Sequence, residues 1–322
     1  MTRITRMGTD LTRIFKKITL FLFLMIILAG KICAFEIFQF SVAPKYGIKN
    51  GVVNEYVISD YNNHIESQLD WDVSWLSLLG FNASVAWEMI FLEADCMWGF
   101  PKSSGIIYDS DWLNTSDLSE RTNYSESSNR IDYYGNLELK LGAKIKTWEF
   151  LYILPYVAIS YNRIDFTGSD GFYTYKSSSG TLSGDVISYK REMFNYSIGT
   201  GVKYNFLTRF TVSLGVSVAI FTQANGLDNH IVKEKDYLDK MQGFFRSFKI
   251  GTEFDVKIWQ GLSVGAGFNF IYLSRTAGIS YNKSSSESKY NRGVDDLYPG
   301  YTVSGGTSGY DYTVEAFVRY SF

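Results

Sequence analysis

The chain has 322 residues and a mass of 36.7 kDa, with 46% hydrophobic and 20% charged residues, which is ample for a buried core and excludes a disordered tail or a disulfide miniprotein. Its 24 Phe, 24 Tyr and 7 Trp, with 28 Gly and only 4 Pro, describe a mostly regular, strand-favouring chain. Two Cys and two His exclude a Cys-rich metal centre or disulfide framework, and the formal net charge of −2 offers nothing to a polyanion.

At the N-terminus, Arg3, Arg6, Arg13, Lys16 and Lys17 precede the apolar run Ile18–Gly30, and Ile32-Cys33-Ala34 offers a cleavage site. This pattern predicts a secretory signal peptide over residues 1–34, too short for a comfortable membrane span. Lys31 stands where a lipoprotein signal has a small residue, so Cys33 is not read as a lipid anchor. Removal of the leader takes six of the 31 basic and one of the 33 acidic residues, leaving 25 against 32 and a net charge of −7. The mature chain is therefore a poor nucleic-acid binder. Only Cys96 would remain, so no intramolecular disulfide is expected.

Residues 35–322 are expected to form one domain. No later stretch reaches the roughly 20 apolar residues of a transmembrane helix. Period-two alternation appears instead. In 136–145, Leu137, Leu139, Leu141, Ala143 and Ile145 oppose Asn136, Glu138, Lys140 and Lys144. In 247–258, Phe248, Ile250, Phe254, Val256 and Ile258 oppose Lys249, Glu253, Asp255 and Lys257. In 310–322, Tyr310, Tyr312, Val314, Ala316, Val318, Tyr320 and Phe322 oppose Asp311, Thr313, Glu315, Arg319 and Ser321, with Phe317 the exception. Such segments are strands with one apolar and one polar face.

Ten strands are expected, at about 37–58, 64–79, 84–100, 131–145, 151–167, 185–204, 210–221, 244–258, 262–281 and 308–322. Short turns are expected near 80–82, 146–150, 205–209 and 259–261. Long loops are expected near 101–130, 168–184, 222–243 and 282–307, with a brief one at 60–63. A soluble sandwich shares the alternation. Two features favour an all-β, ten-stranded antiparallel transmembrane barrel with long extracellular loops: short turns alternate with long loops, and an aromatic-rich last strand closes on Phe322. The abundant Tyr and Trp suit interfacial girdles.

The connections after odd-numbered strands then share the outer rim. One carries Tyr108-Asp109-Ser110-Asp111-Trp112, another Gly226-Leu227-Asp228-Asn229-His230, and Glu55 lies at the outer end of the first strand. In extended backbone, residues i and i+2 point the same way, so Asp109 pairs with Asp111 and Asp228 with His230. A carboxylate beside an imidazole orients its tautomer and raises its basicity, and two adjacent acids hold a water or share a proton. Read by spacing alone, a D-x-D pair in a polar loop is usually just solvated, and a D-x-H pair is more often a surface histidine or a weak metal contact. A metal site is disfavoured, because catalytic zinc generally takes more nitrogen or sulfur ligands than one histidine supplies. His64 and Cys96 are read as structural.

With Ser67-Gln68-Leu69-Asp70-Trp71 and Ile187-Ser188-Tyr189-Lys190 in order between them, these motifs resemble the omptin family of outer-membrane proteases along nearly the whole mature chain. The resemblance implies a bacterial outer-membrane endopeptidase that uses an activated water, with neither an acyl-enzyme nor a required metal or cofactor. Its expected partners are peptide or protein substrates at the cell surface. It implies His230 as general base, Asp228 as its orienting acid, and Asp109 with Asp111 beside the attacking water. Glu55 matches one of two acids that select a basic residue before the scissile bond; the other falls on Gly226, which predicts a relaxed preference. Arg163 matches a position that contacts lipopolysaccharide, a candidate requirement for activity, while a second such position reads Glu192. A proteolytically silent adhesin and a small porin are the alternatives.

Overall fold

The structure is a computed structural model that describes residues 38–59, 63–114, 116–176, 178–232, 234–284 and 298–322, without the side chains of 282–303. The expected signal peptide, residues 1–34, lies outside the described residues. Residues 40–322 form one compact unit, which the description below concerns.

Every regular element among the described residues is a strand. They are β1 (Phe38–Ser59), β2 (Ile65–Trp87), β3 (Ile90–Gly99), β4 (Lys102–Asp111), β5 (Asn123–Ala143), β6 (Ile145–Trp148) and β7 (Leu151–Tyr175). They continue as β8 (Ser178–Phe206), β9 (Phe210–His230), β10 (Lys235–Gly243), β11 (Ser247–Trp259), β12 (Leu262–Ser284) and β13 (Tyr298–Ser321). Three pairs of segments are single staves broken once. β3 and β4 both lie between β2 and β5, separated by Phe100-Pro101, where proline removes a ladder donor. β10 and β11 both lie between β9 and β12. β6 extends β5 along β7. Thirteen segments thus make ten staves. β13 pairs with β1 from Ser321↔Ser41 to Val303↔Ser59, and antiparallel pairing closes the ring.

The faces are inverted relative to a soluble sandwich. Leu137, Leu139, Leu141, Val314, Val318 and Tyr320 point outward and are exposed. The intervening charged residues fill the lumen. Lys45 bridges Asp95 and Glu315, both at 2.8 Å; Lys249 reaches Glu138 at 2.8 Å; Arg319 holds Glu253 and Asp255, each at 2.8 Å. An exposed apolar wall around a buried ionic interior is stable only when the outside solvent is itself apolar. Phe317, the exception to the alternation, is an inward aromatic under the Arg319 guanidinium, 4.6 Å from the ring centroid.

Two expectations differ from the structure. The turn expected at 80–82 is strand: Gly80 pairs with Met97 and Phe81 with Cys96, and the chain reverses instead at Glu88-Met89. Three of the four segments expected as long loops are largely strand, and residues 285–297 of the fourth lie outside the described residues. β4 and the first part of β5 occupy most of 101–130, β7 and β8 pair as far as Tyr175↔Ser178, and β9 continues to His230 before β10 returns. These extensions stand above the apolar band, where both faces are polar, so no hydropathy alternation marks them. The candidate site residues consequently sit on rigid strands.

At the base of this outer part lies an aromatic plug. Trp71 is fully buried and stacks between Phe166 (centroids 5.2 Å) and Tyr189 (5.7 Å), with Ile107, Ile164 and Ile187 around it. Burying three large rings supplies the main apolar contribution inside an otherwise ionic lumen.

Candidate active site

A bulge sets the direction of the first carboxylate pair. Between Ser103 and Ile106 the β4–β5 register slips, and Gly105 takes φ of +73°, with the Asp72 side chain packed where a Cβ would project. Beyond it Ile107 turns into the plug, and Asp109 and Asp111 follow at alternate positions on the same face. Asp109 lies opposite Leu69 on β2 and Ser125 on β5; its Oδ2 accepts the Ser125 hydroxyl at 3.4 Å. Asp111 lies opposite Ser67 and Asn123, and its Oδ2 accepts the Asn123 side-chain amide at 2.9 Å. Burial and the charges of Asp109 and Asp111 push the Tyr175 phenol up, which places that ring beside the pair.

The second pair comes from the far wall. Asp228 and His230 end β9, between Tyr189 and Ile187 of β8 and Tyr237 and Lys235 of β10. Asp228 is buried and its Oδ2 lies 2.6 Å from His230 Nε2, a charge-assisted contact. The Tyr237 ring meets the imidazole edge-on with centroids 5.4 Å apart and fixes its plane. Burial and Asp228 push the Tyr237 phenol up.

Glu55 joins the two walls. It is buried on β1, and the Trp71 indole N–H donates to its Oε2 at 3.3 Å. Burial holds its carboxyl well above the usual range, reinforced by repulsion from Asp228, Asp239 and Asp109, while the indole bond opposes the shift. Asp228 and Asp109 both act on Glu55, so the two pairs approach one buried carboxyl, beside Trp71 and Tyr189. Tyr189 and Met241 fill the space a side chain at Gly226 would take, 3.1 and 3.3 Å from the position of a Cβ. Asp239 on β10 is the cross-strand neighbour of Gly226 and is buried. Sequence reasoning placed Asp239 in a loop and missed it; only the β9–β10 register, His230↔Lys235 to Thr222↔Gly243, brings it beside Gly226.

Arg163 is elsewhere, on the outer wall. It grips Asp165 with Nε at 2.9 Å and Nη2 at 2.5 Å, lies over the Tyr133 ring at 4.8 Å, and faces Glu192 across the strand pair. Glu192 is in turn held by Lys190 at 3.0 Å and by the Tyr161 hydroxyl at 3.1 Å. Among the described residues no three His, Cys, Asp or Glu side chains stand together as a metal cage.

The chain as a whole is similar to known proteins. The model of the Omptin family matches residues 37–321. The plasminogen activator of Yersinia pestis is 21% identical over 302 residues, covering 88% of this chain and 90% of that protein. The crystal structure of the outer membrane protease OmpT from Escherichia coli superposes with a TM-score of 0.78 at 14% identity, over 88% of this chain and 97% of that one.

Proposed function

The chain belongs to the omptin family and is a protease of the bacterial outer membrane, and from that premise we propose that it is an endopeptidase whose water nucleophile is activated between His230 and Asp109. The observation that carries this reading is the 2.6 Å contact between the buried Asp228 and His230. Asp228 fixes Nε2 as the protonated nitrogen of the neutral ring, so the base's lone pair is on Nδ1. The water oxygen attacks the peptide carbonyl carbon as its proton passes to Nδ1. Asp109 accepts the water's other hydrogen and aligns it, and Asp111 holds Asp109's charge and position. Asp228 stabilises the imidazolium that forms. When the C–N bond breaks, His230 returns the proton to the departing amine. No acyl-enzyme and no metal are part of this scheme.

Substrates are peptides or exposed protein segments laid across the rim. Selection of a basic residue beside the scissile bond rests on Glu55 at the groove floor. Outer-membrane lipid is the second partner, lipopolysaccharide contacting Arg163 where a phosphate competes with Asp165 for the guanidinium. The plug of Trp71, Phe166 and Tyr189 across the lumen speaks against a porin. The test is hydrolysis of a mixed-sequence fluorogenic peptide library by the refolded barrel and by Asp109→Ala, each with and without lipopolysaccharide. Cleavage that Asp109→Ala abolishes in a barrel of unchanged heat-modifiable mobility supports the reading. Absence of cleavage by the folded wild type under both lipid conditions would leave the adhesin in its place.

A further inference from the structure

Three carboxyl groups are buried close together at the groove floor. Glu55, Asp228 and Asp239 are 3%, 4% and 4% exposed. Asp239 Oδ1 and Asp228 Oδ1 have no hydrogen-bond partner among the described residues. Asp239 lies opposite Gly226 on one side and Ser280 of β12 on the other. Its carboxylate extends across β12 to β13. A Cβ built on Gly305 would stand 2.0 to 2.3 Å from its atoms, so only glycine at 305 leaves room for it. Gly305 pairs with Val57, and two residues along the same ladder Thr307 pairs with Glu55. Asp239 thus ends one strand from Glu55, on the same inward face, and contributes to the repulsion that Glu55 feels.

The groups facing Asp239 are Asp228 from β9, Glu55 from β1, Tyr189 from β8 and Ser280 from β12. None of these is a cation. Arg191, the other cross-strand neighbour of Gly226, donates through Nη1 to Thr307 at 3.5 Å and makes no ion pair with Asp239 or Glu55 among the described residues. Two buried acids over one space, one with an unpartnered oxygen, are costly unless a cation enters between them. Peptide substrates can supply one.

We propose that Asp239 is a specificity-determining residue that stands in for the acid absent at Gly226: with Glu55 it receives the guanidinium or ammonium of a substrate side chain beside the scissile bond. The assignment rests on the endopeptidase reading above and deepens it. It replaces the relaxed preference expected from Gly226 alone with a preference that depends on pH. Burial and Asp228 raise the Asp239 carboxyl to about 7, so it gains charge across neutrality and its hold on a cation strengthens as pH rises.

The test uses fluorogenic peptides identical except for Arg, Lys or norleucine before the scissile bond, with refolded wild type, Asp239→Asn and Asp239→Glu. In the wild type the Arg-to-norleucine ratio of kcat/KM should rise between about pH 6 and about pH 8. In Asp239→Asn the ratio should fall about 10-fold or more, chiefly through KM, and lose its pH dependence; Asp239→Glu should recover part of it. An unchanged ratio in Asp239→Asn, with cleavage still abolished by His230→Ala, would overturn the role of Asp239 and leave the protease standing. No His230-dependent cleavage by the wild type would overturn both. Should Asp239→Asn fail to fold, inhibition of the wild type by agmatine decides: a Ki that falls as pH rises supports the pocket, and a flat Ki refutes it.

Discussion

Replacing Asp228 by Asn removes one unit of charge from a buried contact and leaves its shape nearly unchanged. The carboxylate lies 2.6 Å from His230 Nε2. With charge centres about 4 Å apart and an effective dielectric of about 20, an aspartate stabilises an imidazolium by about 4 kcal/mol. A charge-assisted hydrogen bond taken alone gives about 1.5–3 kcal/mol. Only the charged ring formed during attack feels this difference, so the loss belongs in kcat and not in KM. The expected fall in kcat is about 10-fold to 1,000-fold, by the conversion of about 1.4 kcal/mol per factor of ten. Steady-state hydrolysis of one good peptide by wild type and Asp228→Asn at matched lipid content measures it. Removing that charge also relieves part of the repulsion on Glu55, so Glu55 should ionise more readily in the variant. A kcat within about 3-fold of wild type, or a loss confined to KM, would refute the role given to Asp228.

Further consequences concern stability. Asp239 has its carboxyl raised from 3.8 to about 7 in the fold, so the folded protein binds more protons than the unfolded chain between those values, and stability must fall as pH rises through that window. Three units correspond to about 4 kcal/mol; denaturant midpoints at pH below and above the window should separate in the wild type and lie closer together in Asp239→Asn, where the raised Glu55 carboxyl still contributes. Trp71→Ala empties a fully buried indole site and removes the donor to Glu55. It should cost about 3–5 kcal/mol, read as a lower denaturant midpoint of the detergent-solubilised barrel; a shift under about 1 kcal/mol would show that the plug is not a main source of stability. Lys45→Met strands Asp95 and Glu315 in the lumen without their shared cation, and should cost a similar amount by the same assay.

The part of the fold that crosses the membrane was legible because lipid outside and ion pairs inside force alternation on every stave. Leu137 to Ile145 and Tyr310 to Phe322 show both faces without ambiguity. Above the apolar band that constraint ends. β4, the outer parts of β7 and β8, and β10 present polar residues to water and to the groove alike, so hydropathy does not distinguish them from loops. Gly80, lacking a Cβ, favours turns, yet lies within β2 because Ala83 to Trp87 continue the β2–β3 pairing. For the site, the i, i+2 spacing already placed Asp109 with Asp111 and Asp228 with His230, since extended backbone and strand share that period. Asp239 was invisible for a different reason. Its relation to Gly226 depends on hairpin register, and its reach to Glu55 depends on Gly305, 66 positions further along the chain.

The most direct measurement is hydrolysis of the mixed peptide library by purified, lipid-reconstituted wild type beside His230→Ala, with both shown to be folded by heat-modifiable mobility. Cleavage by the wild type and loss of at least about 1,000-fold in the variant is the expected result. Equal cleavage by both would contradict the assignment of His230 as the base, and no cleavage by a folded wild type would contradict the endopeptidase itself.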